Sequence, residues 1–287
     1  MIIVRLRGGL GNQMFQYAFA EYMKRYDSEV YLDDSEGRCF KCHDGFEVEK
    51  IFSVSFPKAS FFKICKYADY IPVIGHTIWS HSWFNKMLAY EQEKIKRRGY
   101  CKATHIYESE FSRLTDEQIQ ELIRKHKVIY LDGYWCDTKY LDSIEVEHFF
   151  EFRDEYLKKY MNFYKIIEGK KTCSVHFRRG DYVDTELDIC GKEYYANAVA
   201  RIKQCVGEDV LFIGFSNDID SAKEIVGNDI EIEFIDTRKQ NTAGIDLFLM
   251  SKCTHNIIAN STFSYWGAKL NKNPNKIVIE PNGYIRV

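Results

Sequence analysis

Two adjacent arginines follow an apolar run in the stretch His176-Phe-Arg178-Arg179-Gly-Asp181. Residues 173–177 have the length and composition of a strand, so the chain delivers two guanidiniums to the turn that follows. Like charges side by side are costly unless an anion lies between them or a carboxylate braces one of them. Asp181 is placed to brace, and a phosphate is an anion that suits the planar guanidinium fork. A surface ion-pair network with no ligand is the plainer reading of the same residues. A second stretch, Asn260-Ser261-Thr262-Phe263-Ser264-Tyr265-Trp266, gathers hydroxyls and backbone N–H groups ahead of a helical pattern, where anions bind. Ser261 acting only as an N-cap is its alternative. Arg178 with Ser261 and Thr262 would hold a diphosphate.

Asp246 falls early in a helix expected over 243–253, and its carboxylate either accepts two N–H bonds from a guanine edge or acts only on the helix dipole. Ser216-Asn217-Asp218 is a third polar stretch after a strand. There Asp218 and Asp220 have the D-x-D spacing of a divalent-metal site, but they also fit an N-cap and a first-turn carboxylate, which is the reading adopted. Near the start, a short strand over 2–6 runs into Arg7-Gly8-Gly9-Leu10-Gly11-Asn12 and then a helix, so that Gly9 and Gly11 let backbone N–H groups approach a ligand, with a tight strand-to-helix turn of no ligand role as the plainer reading. A dinucleotide-binding turn fits this loop badly despite Asp33, because Met14 stands where a third glycine or alanine belongs. Cys39, Cys42 and His43 match a haem-attachment pattern, yet they read more simply as ordinary thiols, with a structural zinc as the other option.

The elements that must position these groups alternate regularly in the second half of the chain. Strands are expected over 173–177, 210–215, 230–235, 256–259 and 277–279, with helices over 193–206, 218–226, 243–253 and 263–270 between them. This is the order of a nucleotide-binding α/β domain. The first half opens as strand, helix and strand, and later shows a capped helix over 115–127 and a strand over 128–132, beyond which Trp135 would line an acceptor cleft. A polar-faced helix over 151–168 marks the boundary, giving residues 1–165 and 166–287 as two Rossmann-like domains facing a central cleft. The stretch between Lys41 and Glu110 is rich in aromatics and resists division into elements.

With 42 acidic against 40 basic side chains, the chain lacks the positive footprint of a nucleic-acid binder, so any phosphate must be held locally. Residues 61–79 are the best candidate for a membrane span, and Lys63, Lys66 and Asp69 interrupt them. No transmembrane segment and no export signal are expected, which points to a cytoplasmic protein. The basic run Lys94, Lys96, Arg97 and Arg98 is a solvated helix face or a peripheral contact to anionic lipid on the inner face of the membrane.

Three ordered motifs together resemble the bacterial α-1,2-fucosyltransferases: Gly8-Gly9-Leu-Gly11-Asn12-Gln13-Met-Phe-Gln16, His176-x-Arg178-Arg179-x-Asp181, and His255-Asn-x-x-x-Asn260-Ser261-Thr262-Phe263-Ser264-x-Trp266-Gly267-Ala268. The resemblance implies a GT-B fold, a GDP-β-L-fucose donor, a galactose-terminated oligosaccharide or glycolipid acceptor, inversion at the anomeric carbon and no metal or other cofactor. It further implies that Arg178 binds the β-phosphate, His176 touches the nucleotide, Asp181 shapes the motif and Asp246 reads guanine. Ser261, Thr262 and Phe263 match the position that binds ribose and phosphate, and Asn12 matches the amide near the scissile bond. Glu186 matches an acid of the related α-1,6 enzymes. Either Glu186 or Asp184 is placed to accept the acceptor hydroxyl proton.

Overall fold

The computed structural model describes residues 1–36, 45–69, 102–142, 144–227, 230–240 and 242–283; the Cys39-Cys42-His43 pattern and the basic run at 94–98 lie outside them, as do the side chains of Glu147 and Asp181. The chain divides into two compact units. One comprises Met1–Glu49 and Val54–Glu145, the other Lys50–Ser53 and Val146–Val287. The division therefore falls ahead of the expected 165/166 boundary, and the helix expected there belongs to the second unit.

In the first unit, β1 (Ile2–Arg5), α1 (Leu10–Met23), β2 (Val30–Asp33), α2 (Phe61–Tyr67), β3 (Thr104–Tyr107), α3 (Asp116–Lys125) and β4 (Ile129–Asp132) follow in order. The sheet runs β2-β1-β4-β3 with every pair parallel. Helix α1 is a core element: of its fourteen residues only Asn12 and Glu21 escape burial. Thr115 and Gln118 form the capping box expected ahead of α3. Strand β3 was hidden in the aromatic stretch, because a four-residue edge strand leaves little alternation to read.

Trp135 does not line a cleft. It is fully buried with its ring stacked on Phe19 at 3.8 Å and 4°, and Phe111 and Tyr140 meet it edge-on. A large indole gains more from this aromatic core than from an edge position, even though its backbone adopts a φ of 58°.

The second unit contains α4 (Asp154–Tyr164), β5 (Thr172–Phe177), α5 (Lys192–Val206), β6 (Leu211–Ser216), α6 (Ile219–Val226), β7 (Glu233–Phe234), α7 (Gly244–Lys252), β8 (His255–Ile257), α8 (Thr262–Lys269) and β9 (Val278–Ile279). Its parallel sheet is ordered β7-β6-β5-β8-β9. All six residues of β5 are buried, as befits a central strand covered on both faces. From β5 the chain first moves outward through β6 and β7, then returns to place β8 on the other side of β5. The β5–β8 boundary is thus the topological switch point, where open α/β sheets leave a crevice for ligands.

Candidate active site

The switch point of the second unit brings two of the sequence motifs together. β5 ends in His176 and Phe177 and releases Arg178, while β8 leads through Asn260 and Ser261 into α8. The His176 ring lies 5.6 Å from that of Phe263, in the first turn of α8. His176 is buried, and its Nδ1 has no hydrogen-bond partner among the described residues. Burial, with the neighbouring Arg178 charge adding to it, pushes the imidazole down to about 3, so it is neutral at ordinary pH. The arrangement is a neutral ring with an open nitrogen beside a cation.

Arg178 is partly exposed, with its guanidinium carbon 4.9 Å from the centre of the Tyr182 ring. Arg179 is buried and held by neighbouring side chains. Its Nη1 donates to both carboxylate oxygens of Asp188, at 2.8 and 3.0 Å, and its Nε donates to Ser221 Oγ at 3.1 Å. Asn217 clamps the Arg179 backbone, accepting from its N–H and donating to its carbonyl, both at 2.9 Å. Gly180 makes the clamp feasible: its φ is +65°, and a side chain there would meet the Asn217 amide. Asp188 lies further along the same connection, Asn217 belongs to the Ser216-Asn217-Asp218 stretch and Ser221 to the first turn of α6; their pairing with Arg179 shows only in the fold.

Ser261 caps α8, accepting from Phe263 N–H at 3.3 Å, and Asn260 donates to the Leu187 carbonyl at 3.2 Å. Thr262 opens the helix. Ser216 is taken up by its own turn, where its hydroxyl donates to the Asp218 carbonyl and accepts from the Asp218 N–H. Asp218 is the N-cap of α6, accepting from Ser221 N–H, and Asp220 lies in the first turn, as the N-cap reading required.

Asp246 sits in the first turn of α7, partly buried, and accepts a 2.5 Å hydrogen bond from Thr237. Burial pushes its carboxyl up to about 7, the Thr237 bond opposes the shift, and nearby Asp236 adds to it. Asp184 and Glu186 are exposed on the loop after β5; Asp184 holds a φ of 61°, in the left-handed region that costs most non-glycine residues.

The corresponding edge of the first unit is wired differently. Asp132, at the end of β4, accepts from Arg5 Nη1 at 2.7 Å and from Arg7 Nη1 at 3.1 Å, and Arg5 Nη2 also reaches Glu36 at 2.8 Å. Asp33 accepts from Tyr130 at 2.6 Å and from Ser35 N–H at 2.9 Å, so it is engaged inside the unit rather than turned toward a ribose. Gln13 and Gln16, both fully buried on α1, hold the glycine loop. Gln16 accepts from the Arg7 N–H and donates to the carbonyls of Arg7 and Gly133, and Gln13 donates to those of Gly8 and Gly45. Two amides on a helix otherwise built of core residues were the available signal for this role.

Gly8, with φ of +76°, is the loop residue that needs a glycine: a side chain there would lie 2.7 Å from the Asn12 amide nitrogen and 3.3 Å from the Tyr134 ring. Gly9 is the extended N-cap of α1 and Gly11 is buried in its first turn. Asn12, Tyr134 and Arg7, whose guanidinium carbon is 5.1 Å from the Tyr134 ring centre, therefore share one edge of the first sheet.

The model of glycosyl transferase family 11 matches residues 1–285. The chain is 29% identical to O-antigen biosynthesis glycosyltransferase WbnK of Escherichia coli, over 96% of this chain and 92% of that one. It is also 29% identical to an Escherichia coli alpha-1,2-colitosyltransferase, over 98% and 91% respectively. Among solved structures it resembles NodZ alpha-1,6-fucosyltransferase soaked with GDP-fucose, with a TM-score of 0.53 and 14% identity, covering 94% of this chain and 91% of that one. At that identity the likeness speaks for the fold, which is α/β of the GT-B type. With the motifs spread over both units and the family match spanning nearly the whole length, the chain belongs to glycosyl transferase family 11.

Proposed function

We propose that this glycosyltransferase moves L-fucose from GDP-β-L-fucose to the 2-hydroxyl of a terminal galactoside, with inversion at the anomeric carbon. The observation that carries the donor half of this reading is the buried, neutral His176 with an unpartnered Nδ1, next to Arg178 at the β5–β8 switch point. An orphaned buried nitrogen is costly unless a ligand completes it. Arg178 and the N-terminus of α8, with Ser261, Thr262 and Phe263, would receive the diphosphate and its ribose, and Asp246 the guanine edge. Charge on the β-phosphate grows as the sugar bond breaks, so a fixed guanidinium contributes most in the transition state. Asp218 is occupied as an N-cap, which supports a reaction that does not use the D-x-D pair to hold a metal.

Asn12 matches, by the family resemblance, the amide that assists at the scissile bond. Asp184 or Glu186 would accept the acceptor proton as the sugar transfers. The left-handed backbone at Asp184 favours that residue, since strain of this kind concentrates at functional positions. The relative named a colitosyltransferase supports a second reading, in which the donor sugar is a fucose without its 3-hydroxyl and the linkage is the same. The deciding experiment is to incubate the protein with lactose and either GDP-fucose or GDP-colitose. GDP release is followed, and the linkage is read by NMR. Lactose-dependent release with a 1→2 product supports the proposal, whereas a 1→6 product, or donor binding without turnover, excludes it.

A further inference from the structure

We propose that α2 and the lysines around it form a docking surface for an anionic lipid bilayer. The helix packs into the first unit through Ile64 and the following Ala68, which are fully buried with Ile3, Val128 and Tyr130. Its outer face presents Phe61 and Phe62, which are 42% and 83% exposed, with their rings 6.0 Å apart. Phe62 is the most exposed large apolar side chain among the described residues, and the core contact is already made by Ile64. Phe62 in particular leaves most of its ring to solvent, where it adds little to the core of the described residues.

What surrounds the pair identifies its partner. Lys63 places its ammonium 3.5 Å from the centre of the Tyr31 ring, and Lys66 lies 5.1 Å from that of Tyr67. Lys102 is tied to the same place by its N–H bond to the Lys66 carbonyl. Phe62, Lys63, Lys66 and Lys127 line one open concavity, to which Glu29 contributes the one acid among the described residues. Protein interfaces are depleted in lysine, so a lysine ring about an apolar tip is poorly matched to another protein. It matches a bilayer interface. There phenylalanine enters the acyl boundary, tyrosine sits at headgroup level and lysine meets anionic lipid.

The surface lies at the amino ends of β1 and β4, because Met1 and Val128 immediately precede those strands. Asn12, Arg7 and Tyr134 occupy the opposite edge of the same sheet. Four residues of β1 separate the two edges by about 13 Å. Docking would leave that edge facing away from lipid, within reach of a sugar carried on a short oligosaccharide stem. This surface does not depend on which sugar the enzyme transfers.

The test is flotation of the whole protein with vesicles of phosphatidylglycerol and phosphatidylcholine in equal parts, against phosphatidylcholine alone. Binding to the mixed vesicles, weakened by salt and absent from the neutral ones, is expected. The double variant Phe61→Ser/Phe62→Ser should bind about tenfold more weakly or worse, and Lys66→Gln/Lys127→Gln should lose the preference for anionic lipid. Both pairs are surface substitutions, and an unchanged melting temperature verifies that the variants are folded. Met161→Ser, at an exposed apolar position of the second unit, serves as control and should bind like wild type. Wild-type protein that stays with neither vesicle, or phenylalanine variants that bind as well as wild type, would overturn the proposal. So would a dimer in analytical ultracentrifugation that the phenylalanine variants convert to monomer, since the face would then belong to a second copy.

Discussion

At the carboxyl ends of β1 and β4, Asp132 is shared by Arg5 and Arg7, Arg5 also reaches Glu36, and Asp33 is held by Tyr130. At the carboxyl ends of β5 and β8, Arg179 is anchored through Asp188, while the nearby His176 keeps a buried nitrogen without a partner among the described residues. The two sheets have the same parallel construction and the same kind of switch point. They differ in how their polar groups are satisfied. In the first unit opposite charges meet inside the protein, which fixes the shape of a polar edge. In the second a buried imidazole nitrogen near the first turn of α8 has no partner among the described residues, the condition of a group that a ligand would complete.

If this contrast is right, losing charge in the two places should have opposite consequences. Asp132→Asn takes the carboxylate from buried Arg5, which keeps Glu36, and from partly exposed Arg7, so it should destabilise the first unit by about 3 kcal/mol while leaving GDP affinity intact. Urea unfolding and calorimetric titration with GDP measure the two effects; a stable variant with weakened GDP binding would reverse the assignment of the edges.

Arg178→Ala should do the reverse. By comparison with removal of one oxyanion donor, kcat should fall by about 10² to 10³, equivalent to about 2.7 to 4 kcal/mol, with a smaller loss of GDP affinity and little change in melting temperature. Arg178→Lys should not restore the rate, because a point charge lacks the planar fork. Turnover of Arg178→Ala within threefold of wild type would falsify the donor site. The adjacent Arg179→Ala should instead cost about 1.5 to 3 kcal/mol of stability, through the loss of charged hydrogen bonds to Asp188. Any fall in its rate should be accompanied by a lower melting temperature. Unchanged thermal stability would mean that the Asp188 pair does not anchor the loop.

The alternation of elements after residue 172 was legible because each strand there is a short apolar run closed by polar turn residues. Asp218 and Ser261 announced their capping roles by standing immediately ahead of helical patterns. Other features depend on which partner the fold selects. The connection after β5 carries several carboxylates and nothing in it singles out Asp188 for Arg179, Asn217 comes from the turn after β6, and Trp135 follows a strand at a position where an aromatic side chain suits a cleft as well as a core. Only the meeting with Phe19 decides it. The glycine loop was legible as a tight strand-to-helix turn, yet its left-handed residue is Gly8, and that Gln13 and Gln16 hold it from buried positions shows only in the fold.

The smallest effect separates a guanine reader from a helix-dipole carboxylate. Asp246 titrates near 7 because burial disfavours its charge, and Thr237 offsets only part of that penalty. A guanine edge offers N–H donors and therefore selects the carboxylate. GDP affinity should accordingly rise with pH through about 7 and then level off, changing by at most about tenfold per pH unit below that point. Stability should move in the opposite direction. Because the folded state holds the proton more tightly than the unfolded chain, the unfolded chain ionises first. Stability then falls as pH climbs from the ordinary carboxylate range to about 7, and it is flat above. Asp246→Asn removes both trends, which separates them from titration of the GDP phosphates themselves. At about pH 8 the same variant should lose preference for GDP over ADP and UDP, since one bidentate polar match is worth about 1 to 3 kcal/mol. A wild-type affinity that is flat from about pH 6 to about pH 8, with the variant still selecting GDP, would leave Asp246 as a residue of the helix terminus and move guanine recognition elsewhere on the second unit.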